Sequence, residues 1–302
     1  SIEELLSAGF ILLDKPTGPT SHQVAAWARD LLNLEKLGHG GTLDPLATGV
    51  LPLLSGKSMK ITQHILGHDK IYIAVMKFNS IPDENELLKA MDRLTGKVYN
   101  VPPEISAVKV QVRTRRIDEF TLLDINENIA VFSITCEAGT YIRTLAKDLG
   151  LLLGTNIELI ELRRGSSGKF NENQCVKLEQ LADAVWIWKE TGDSAAMSKI
   201  LFPIERLLDD YSEIIVKDGA AAAISHGAPL LRPGLIEIPA KLKRGDTIKI
   251  MTLKGELVSL AESLVDSHEV EVMTSGEIAR SHSVIMETGI YPKTWNSKWY
   301  AG

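Results

Sequence analysis

The sequence has few of the residues that disulfide, metal or membrane chemistry requires. Its two cysteines, Cys136 and Cys175, show no Cys-x-x-Cys spacing, which argues against a zinc ribbon or disulfide framework and favours free thiols in a reducing compartment. Among the seven histidines only His64 and His68 have His-x-x-x-His spacing, and one such pair falls short of the three or four ligands of a zinc site, so no metal site is predicted. No apolar run reaches the roughly 20 residues that cross a membrane, and the acidic N-terminus lacks the basic region of a secretory signal. We therefore expect a cytoplasmic protein.

The sequence also lacks the glycine patterns that hold nucleotides and cofactors. It contains no P-loop, no dinucleotide fingerprint and no nucleophile elbow, so no cofactor is expected. Acidic residues outnumber basic ones by 39 to 33, and the net charge is -6. This balance argues against a general nucleic-acid coat protein, but it permits a local basic track, since charges act over about 10 Å at moderate salt.

The order of the predicted elements favours an α+β fold. The 302 residues suit one large domain or two smaller ones. A short strand at Phe10–Leu13 leads into a Lys-Pro turn and then a helix capped by Thr20 or Ser21. Strands and helices then mix, which indicates a largely antiparallel mixed sheet. After residue 211 the chain has short strands punctuated by glycine and proline, typical of a small β-barrel. We predict two domains, 1–211 and 212–302.

Two local patterns predict packing. A hairpin is expected with its turn at residues 126–128. The first helix is expected to face the core through apolar residues at helical spacing, namely Val24, Ala25, Trp27, Ala28, Leu31 and Leu32.

One acid follows a glycine-rich stretch, "GHGGTLDPLATGVLPL", which begins at Gly38. Asp44 precedes a proline and an apolar run. A turn or cap role is the ordinary interpretation of an Asp-Pro pair. The alternative is a functional carboxylate whose ionisation is set by burial and neighbouring charge. His39, between two glycines, is either a plain loop residue or part of the same site.

Other residues could accompany this acid. Arg143, in "AGTYIRTL", is either a surface charge or a partner for a carboxylate. Tyr72, in "DKIYIAVM", is either a core tyrosine or a platform on which an unstacked base could lie. Such a set suggests an RNA-facing site that uses a carboxylate.

Basic residues cluster in two places. The run "KVQVRTRR" has no acid and resembles an edge strand or loop, and "ELRRGSSG" adds a second pair. Such residues are either solvated or form a phosphate-contact strip in an otherwise acidic chain. The candidates are Lys109, Arg113, Arg115, Arg116, Arg163 and Arg164.

Six motifs occur in an order that resembles the TruB-type pseudouridine synthases: "LDKPTGPTS", "GHGGTLDPLATGVLPL", "DKIYIAVM", "PPEISAVKVQVRTR", "AGTYIRTL" and "ELRRGSSG". The later "HGAPLLRPGL" and "KRGDTIKIMTLKGELVSL" resemble a PUA RNA-binding domain. With "AVWIWKE" and "YPKTW", the chain is most similar to the archaeal dyskerin branch, the catalytic subunit of H/ACA guide-RNA particles.

The resemblance implies roles for particular residues. Asp44 matches the catalytic aspartate that begins the exchange of an N-glycosidic for a C-glycosidic bond. Tyr72 matches the tyrosine that stacks on the flipped base and helps deprotonate C5, and Arg143 matches the arginine that pairs with the aspartate. The remaining matches are Leu162 and His39 at the uracil pocket, Lys15 and Pro16 in the turn that supports the site, and His226 and Arg232 as RNA contacts of the PUA domain.

The resemblance also implies a function with alternatives. The chain is expected to isomerise uridines in ribosomal RNA under a guide RNA, and also to act on tRNA. Its expected partners are a small zinc-ribbon protein, a glycine-arginine-rich protein and a kink-turn-binding protein. A stand-alone tRNA T-arm synthase is the alternative in the same class, and a non-catalytic RNA scaffold is the alternative in another class.

Overall fold

The structure is a computed structural model, in which residues 1–102 and 113–293 are described. The chain forms two compact units. The first contains residues 1–3, 10–56 and 62–201, and the second contains residues 4–9 and 57–61 together with the chain from residue 202. The second unit therefore draws on three separate stretches of sequence.

Helices and strands alternate irregularly up to residue 200, as an α+β fold requires. In chain order they are α1 (Ile2–Ser7), β1 (Gly9–Lys15), α2 (Ser21–Leu32), β2 (Leu37–His39), β3 (Ala47–Ser55), α3 (Thr62–Leu66), β4 (Lys70–Phe78), α4 (Glu84–Arg93), β5 (Gly96–Asn100), β6 (Arg113–Asn126), β7 (Ile129–Cys136), α5 (Ile142–Leu153), β8 (Ile157–Ser167), β9 (Phe170–Asn171), α6 (Leu178–Thr191) and α7 (Ala195–Ile200).

The first unit is built on a mixed sheet whose strands follow the order β1-β3-β8-β4-β7-β6-β5. The β3–β8 pair is parallel, while β1–β3, β4–β8, β4–β7, β6–β7 and β5–β6 are antiparallel. β3 is buried along nearly its whole length, because it lies between β1 and β8 in the sheet. The predicted mixed, largely antiparallel α+β architecture is confirmed.

Several local predictions are confirmed, and one is corrected. Thr20 caps α2 in a capping box, and the hairpin turn lies between Asn126 and Ile129. Trp27 is 49% exposed, because it lies about 60° from Val24 on the helical wheel, away from the buried stripe. β6 pairs with β5 over residues 113–117 and with β7 from Ile117 onward, so the edge-strand interpretation of the basic run, of which residues 109–112 lie outside the described part, stays a prediction.

The second unit carries a six-stranded sheet in the order β12-β16-β15-β14-β11-β13. Its buried aliphatic side chains form one cluster that includes the inner face of α8, so the predicted barrel-like architecture is confirmed. Its elements are β10 (Leu201–Pro203), β11 (Ser212–Val216), α8 (Asp218–Ser225), β12 (Leu230–Leu231), β13 (Leu235–Glu237), β14 (Thr247–Thr252), β15 (Leu257–Ser263), α9 (Ser267–Val272) and β16 (Glu277–Val284).

None of the helices in residues 1–102 and 113–293 has the length and apolar character needed to span a membrane.

Candidate active site

Asp44 lies in the loop between β2 and β3, and its side chain is exposed. The loop is fixed just before the acid, because Leu43 is buried and exchanges two hydrogen bonds with Ser21. The Leu43 N–H donates to Ser21 Oγ at 2.8 Å, and that hydroxyl donates to the Leu43 carbonyl at 2.9 Å. After the acid, the Ala47 N–H donates to the Asp44 carbonyl at 3.0 Å. An accessible carboxylate is thus held on a well-anchored backbone.

Lys15 anchors the far side of this loop from within the protein. The lysine is fully buried at the end of β1. Its Nζ donates to the carbonyls of Ala47 at 2.8 Å, Pro16 at 2.9 Å and Pro45 at 3.4 Å. Burial lowers the pKa of Lys15 to about 8, and the negative charge of Asp44 opposes this shift. The structure therefore brings the Lys-Pro turn to the loop of the acid.

Tyr72 and Leu162 lie on neighbouring central strands, and each is 8% exposed. Leu162 pairs in register with Ala47 of β3 and Ala74 of β4. Tyr72 is two residues from Ala74, so its side chain lies on the same face of β4. Burial raises the pKa of Tyr72, the Arg164 charge lowers it, and the Asp44 charge adds to the rise. The negative charge of Asp44 therefore acts on the phenol.

Arg164 is not a surface RNA contact, and that prediction is corrected. Its side chain is only 1% exposed. Its Nε donates to the Val50 carbonyl at 2.8 Å, and its Nη2 donates to the Gly41 carbonyl at 3.0 Å. In a central strand, side chains alternate between the two faces, so one of the two adjacent arginines must point inward. This alternation of side chains along a strand is the sequence feature from which a buried arginine could have been predicted.

Arg143 is the second residue of α5 and is half-buried. The start of this helix is held by Asn100, whose side chain exchanges hydrogen bonds of 2.8 and 3.1 Å with the backbone of Tyr141. Within the described part of the chain, no ion pair joins Arg143 to Asp44. The pairing implied by the resemblance therefore stays a prediction.

His39 lies at the end of β2, with its ring edge-on to His22 at 4.8 Å between centroids. Its Nδ1 is buried without a hydrogen-bond partner. Burial lowers the pKa of His39, and the charges of His22 and Arg164 lower it further. The ring therefore binds a proton less readily than a free imidazole, and it packs against His22.

The residues of the predicted phosphate-contact strip have different surroundings in the structure. Lys109 lies outside the described residues, and Arg113 is exposed at the start of β6. Arg115 is held by the Gly139 carbonyl at 3.1 Å and by an ion pair with Glu137 at 3.4 Å. Arg116 forms ion pairs with Asp69 and Asp118, and Arg163 with Asp14 and Glu172. Much of the predicted positive charge is thus already matched by carboxylates.

The two candidate contacts in the second unit are also tied to backbone. His226 is exposed, and its Nδ1 lies 2.8 Å from the Ala222 carbonyl. The Nε of Arg232 donates to the Val270 carbonyl at 3.1 Å. Across the described residues, no three His, Cys, Asp or Glu side chains form a cluster that could hold a metal ion.

Comparisons with known families agree along the chain. The N-terminal domain of TruB family pseudouridylate synthases matches residues 29–87. The C-terminal domain of tRNA pseudouridylate synthase B matches residues 143–209. A PUA domain matches residues 212–285, and a DKCLD domain matches residues 1–25.

Individual relatives match nearly the whole chain. A probable tRNA pseudouridine synthase B from Pyrobaculum calidifontis is 43% identical over 98% of this chain and 89% of its own length. That from Nanoarchaeum equitans is 40% identical over 98% of this chain and 85% of its own. Among solved structures, a Cbf5-Nop10-Gar1 complex matches with a TM-score of 0.87 and 40% identity over 97% of this chain and 89% of that one.

A further solved structure, an H/ACA RNP bound to a substrate RNA containing 2′-deoxyuridine, matches with a TM-score of 0.88 and 38% identity, covering 98% of this chain and 90% of that one. Fold and relatives define an RNA isomerase, a pseudouridine synthase that carries a PUA domain. The chain belongs to the TruB family of pseudouridine synthases.

Proposed function

We propose that this chain converts uridines in RNA to pseudouridine at Asp44. The observation that supports this most is the exposed carboxylate on a loop anchored by Lys15 and Leu43. Asp44 begins the exchange of the glycosidic bond from N1 to C5. Tyr72 stacks on the flipped uracil and helps to remove the C5 proton, while Leu162 lines the pocket. Flipping the nucleotide costs a few kcal/mol, which stacking helps to offset.

We propose further that a guide RNA selects the uridine in ribosomal RNA. The support is the similarity to the Cbf5 complex with Nop10 and Gar1 and to the RNA-bound H/ACA particle. The partners would be the zinc-ribbon, glycine-arginine-rich and kink-turn-binding proteins of such a particle. Residues from about Ser212 would serve as the RNA-binding domain, with phosphates also reaching Arg113 of the first unit. We place the activity in the cytoplasm, where free Cys136 and Cys175 stay reduced.

Stand-alone action on tRNA is the second candidate, because the curated relatives bear the name tRNA pseudouridine synthase B. The two candidates differ in whether a guide RNA and partner proteins are required. A tRNA transcript and a guide–target RNA pair with partners, offered separately to the same protein preparation, therefore distinguish them.

The test is tritium release from RNA labelled at uridine C5, with Asp44→Asn compared to the wild type. We expect Asp44→Asn to lose turnover by more than about 10³-fold, since it removes the reacting carboxylate. RNA affinity and thermal stability should stay close to wild type, because the side chain is exposed. Asp92→Asn, at an exposed acid on α4, is the matched control and should remain active.

Three outcomes are informative. Release with tRNA alone supports the stand-alone function, and release only with guide and partners supports the guided one. Activity retained in Asp44→Asn, or no release from wild type in either assay, contradicts the assignment and favours an RNA scaffold.

A further inference from the structure

A buried guanidinium lies directly beneath the glycine-rich loop, and the chemistry described above does not use it. Arg164 is 1% exposed and lies in β8, one strand from the loop-bearing β3. Burying a cation is costly unless hydrogen bonds compensate for lost hydration. Its two backbone acceptors, the carbonyls of Gly41 and Val50, supply part of that compensation.

The contact with Gly41 fixes the near side of the Asp44 loop. Gly41 has a φ of +97°, and a Cβ added there would lie 3.4 Å from Nη1 of Arg164. The peptide carbonyl of this glycine lies 3.0 Å from Nη2. Lys15 donates to the carbonyls of Pro45 and Ala47. One buried cation therefore binds the loop before Asp44, and another binds it after Asp44.

The same guanidinium faces Tyr72. The two residues pair in register between β4 and β8. The positive charge of Arg164 opposes the rise in the pKa of Tyr72 that burial causes. Among the described residues, Arg164 thus connects the loop of the carboxylate to the side chain of the phenol.

We propose that Arg164 is a positioning residue of the isomerisation, whose guanidinium holds the Asp44 loop and orients the Tyr72 hydroxyl at a fixed separation. This rests on the proposed function of Asp44 and Tyr72. A planar fork can serve carbonyls and a hydroxyl in different directions, which the single ammonium of lysine cannot reproduce. A displacement of about 1 Å in a reacting group can cost roughly 100-fold in rate.

The first test compares Arg164→Lys with Arg29→Lys. Arg29 makes two guanidinium hydrogen bonds to Asp30 at the protein surface, so both variants keep the charge and lose a fork. Under single-turnover conditions we expect Arg164→Lys to lower the rate of tritium release about 100-fold. RNA dissociation constants should change less than about threefold, since Arg164 is buried and touches no phosphate. Arg29→Lys should match wild type in both.

The second test separates positioning from a general packing defect by a pH profile of Arg164→Met. The charged and titratable groups that face Tyr72 are Arg164 from β8, Cys136 from β7 and Asp44 from the loop. Lys70 lies two residues away on the same face of β4. Removing the Arg164 charge should raise the pKa of Tyr72 further. Below the wild-type pKa the phenols of wild type and variant ionise in parallel, so the rate deficit should stay constant up to the ordinary tyrosine value of 10.0 and shrink as pH rises above it. A packing defect would lower the rate equally at every pH.

The outcomes separate this inference from the function on which it rests. The positioning role is overturned if Arg164→Lys and Arg29→Lys have equal rates, or if the rate deficit of Arg164→Met does not vary with pH. The proposed function still stands in either case if Asp44→Asn is inactive. An active Asp44→Asn overturns both. If Arg164→Met does not fold, Arg164→Gln provides the same pH test, and the lysine comparison decides if neither folds.

Discussion

At the scale of single residues, buried cations organise this site. Lys15 and Arg164 are both fully or almost fully buried, and each donates to backbone carbonyls that flank Asp44. Carbonyl acceptors keep a buried charge tolerable without neutralising it. The exposed acid therefore stays free to meet substrate, while the cations that restrain its loop stay out of reach of RNA phosphates.

Lys70 is a third buried cation, and the free-energy cost of burying its charge can be measured through the pH dependence of stability. It is 4% exposed, and burial, followed by the Arg164 charge, lowers its pKa from 10.5 to about 8. Between these pH values the unfolded chain holds a proton that the folded protein has lost, so the contribution of Lys70 to stability grows as pH rises. It is complete above the unfolded pKa and is lost as pH falls through 8.

We expect the melting temperature of wild type to rise relative to Lys70→Met between pH 7.5 and 10. Lys77→Met, at an exposed position of the same strand, is the control, and its difference from wild type should stay constant. Thermal melts across this pH range measure both. A Lys70→Met difference that does not vary with pH would refute the shift.

At the scale of elements, the parallel contact between β3 and β8 brings the site together. Ala47, Thr48 and Gly49 pair with residues 162–164, so the strand that follows the Asp44 loop lies directly beside the strand of Leu162 and Arg164. This close approach depends on Gly49, which has a φ of +103°. A Cβ built there would lie 2.2 Å from the Arg164 carbonyl oxygen.

Gly49→Ala should therefore force the two strands apart. We expect a loss of about 3 kcal/mol, from a strained φ and a backbone clash, which corresponds to roughly 6–12 °C in melting temperature for a unit of this size. Gly67→Ala is the control, because nothing lies within 4 Å of its added Cβ. Thermal unfolding measures both, and equal melting temperatures would contradict the role of Gly49.

At the scale of the whole molecule, the chain is interleaved. Residues 57–61 follow β3 of the first unit in sequence but belong to the second unit. There Lys60 Nζ donates to the Val284 carbonyl at 2.9 Å, Ser283 Oγ donates to the Lys60 carbonyl at 3.2 Å, and Lys57 pairs with Glu287 at 3.0 Å. A fragment that begins at Ser212 would lack these partners.

We expect one calorimetric unfolding transition for the full chain, because unfolding the first unit removes the restraint on a segment that completes the second. Two-state behaviour would then hold despite two units. The isolated fragment 212–302 should melt at a lower temperature than the full chain. Two separate transitions, with the fragment matching one of them, would contradict this coupling.

The sequence by itself determined the family, the α+β class and much of the local structure. Six ordered motifs carried the family resemblance, the Thr20 cap followed from side-chain chemistry, and the hairpin turn followed from strand patterning. The patterns also singled out Asp44 and Tyr72, and the resemblance added Lys15, which donates to carbonyls of the Asp44 loop. Such features depend on contacts between residues close in sequence, or on motifs long enough to be specific.

Only the tertiary structure decided which charges face inward. Arg163 and Arg164 are adjacent and identical in type. Arg163 forms an ion pair with Asp14 and stays partly exposed, whereas Arg164 is buried and donates to the Gly41 carbonyl. Alternation along a strand shows that its two faces differ, but which face is covered depends on strands distant in sequence. Trp27 is exposed for the same reason, because burial depends on the neighbours that pack around a residue and not on the residue itself. Residues 57–61 likewise belong to the second unit because of contacts with residues distant in sequence.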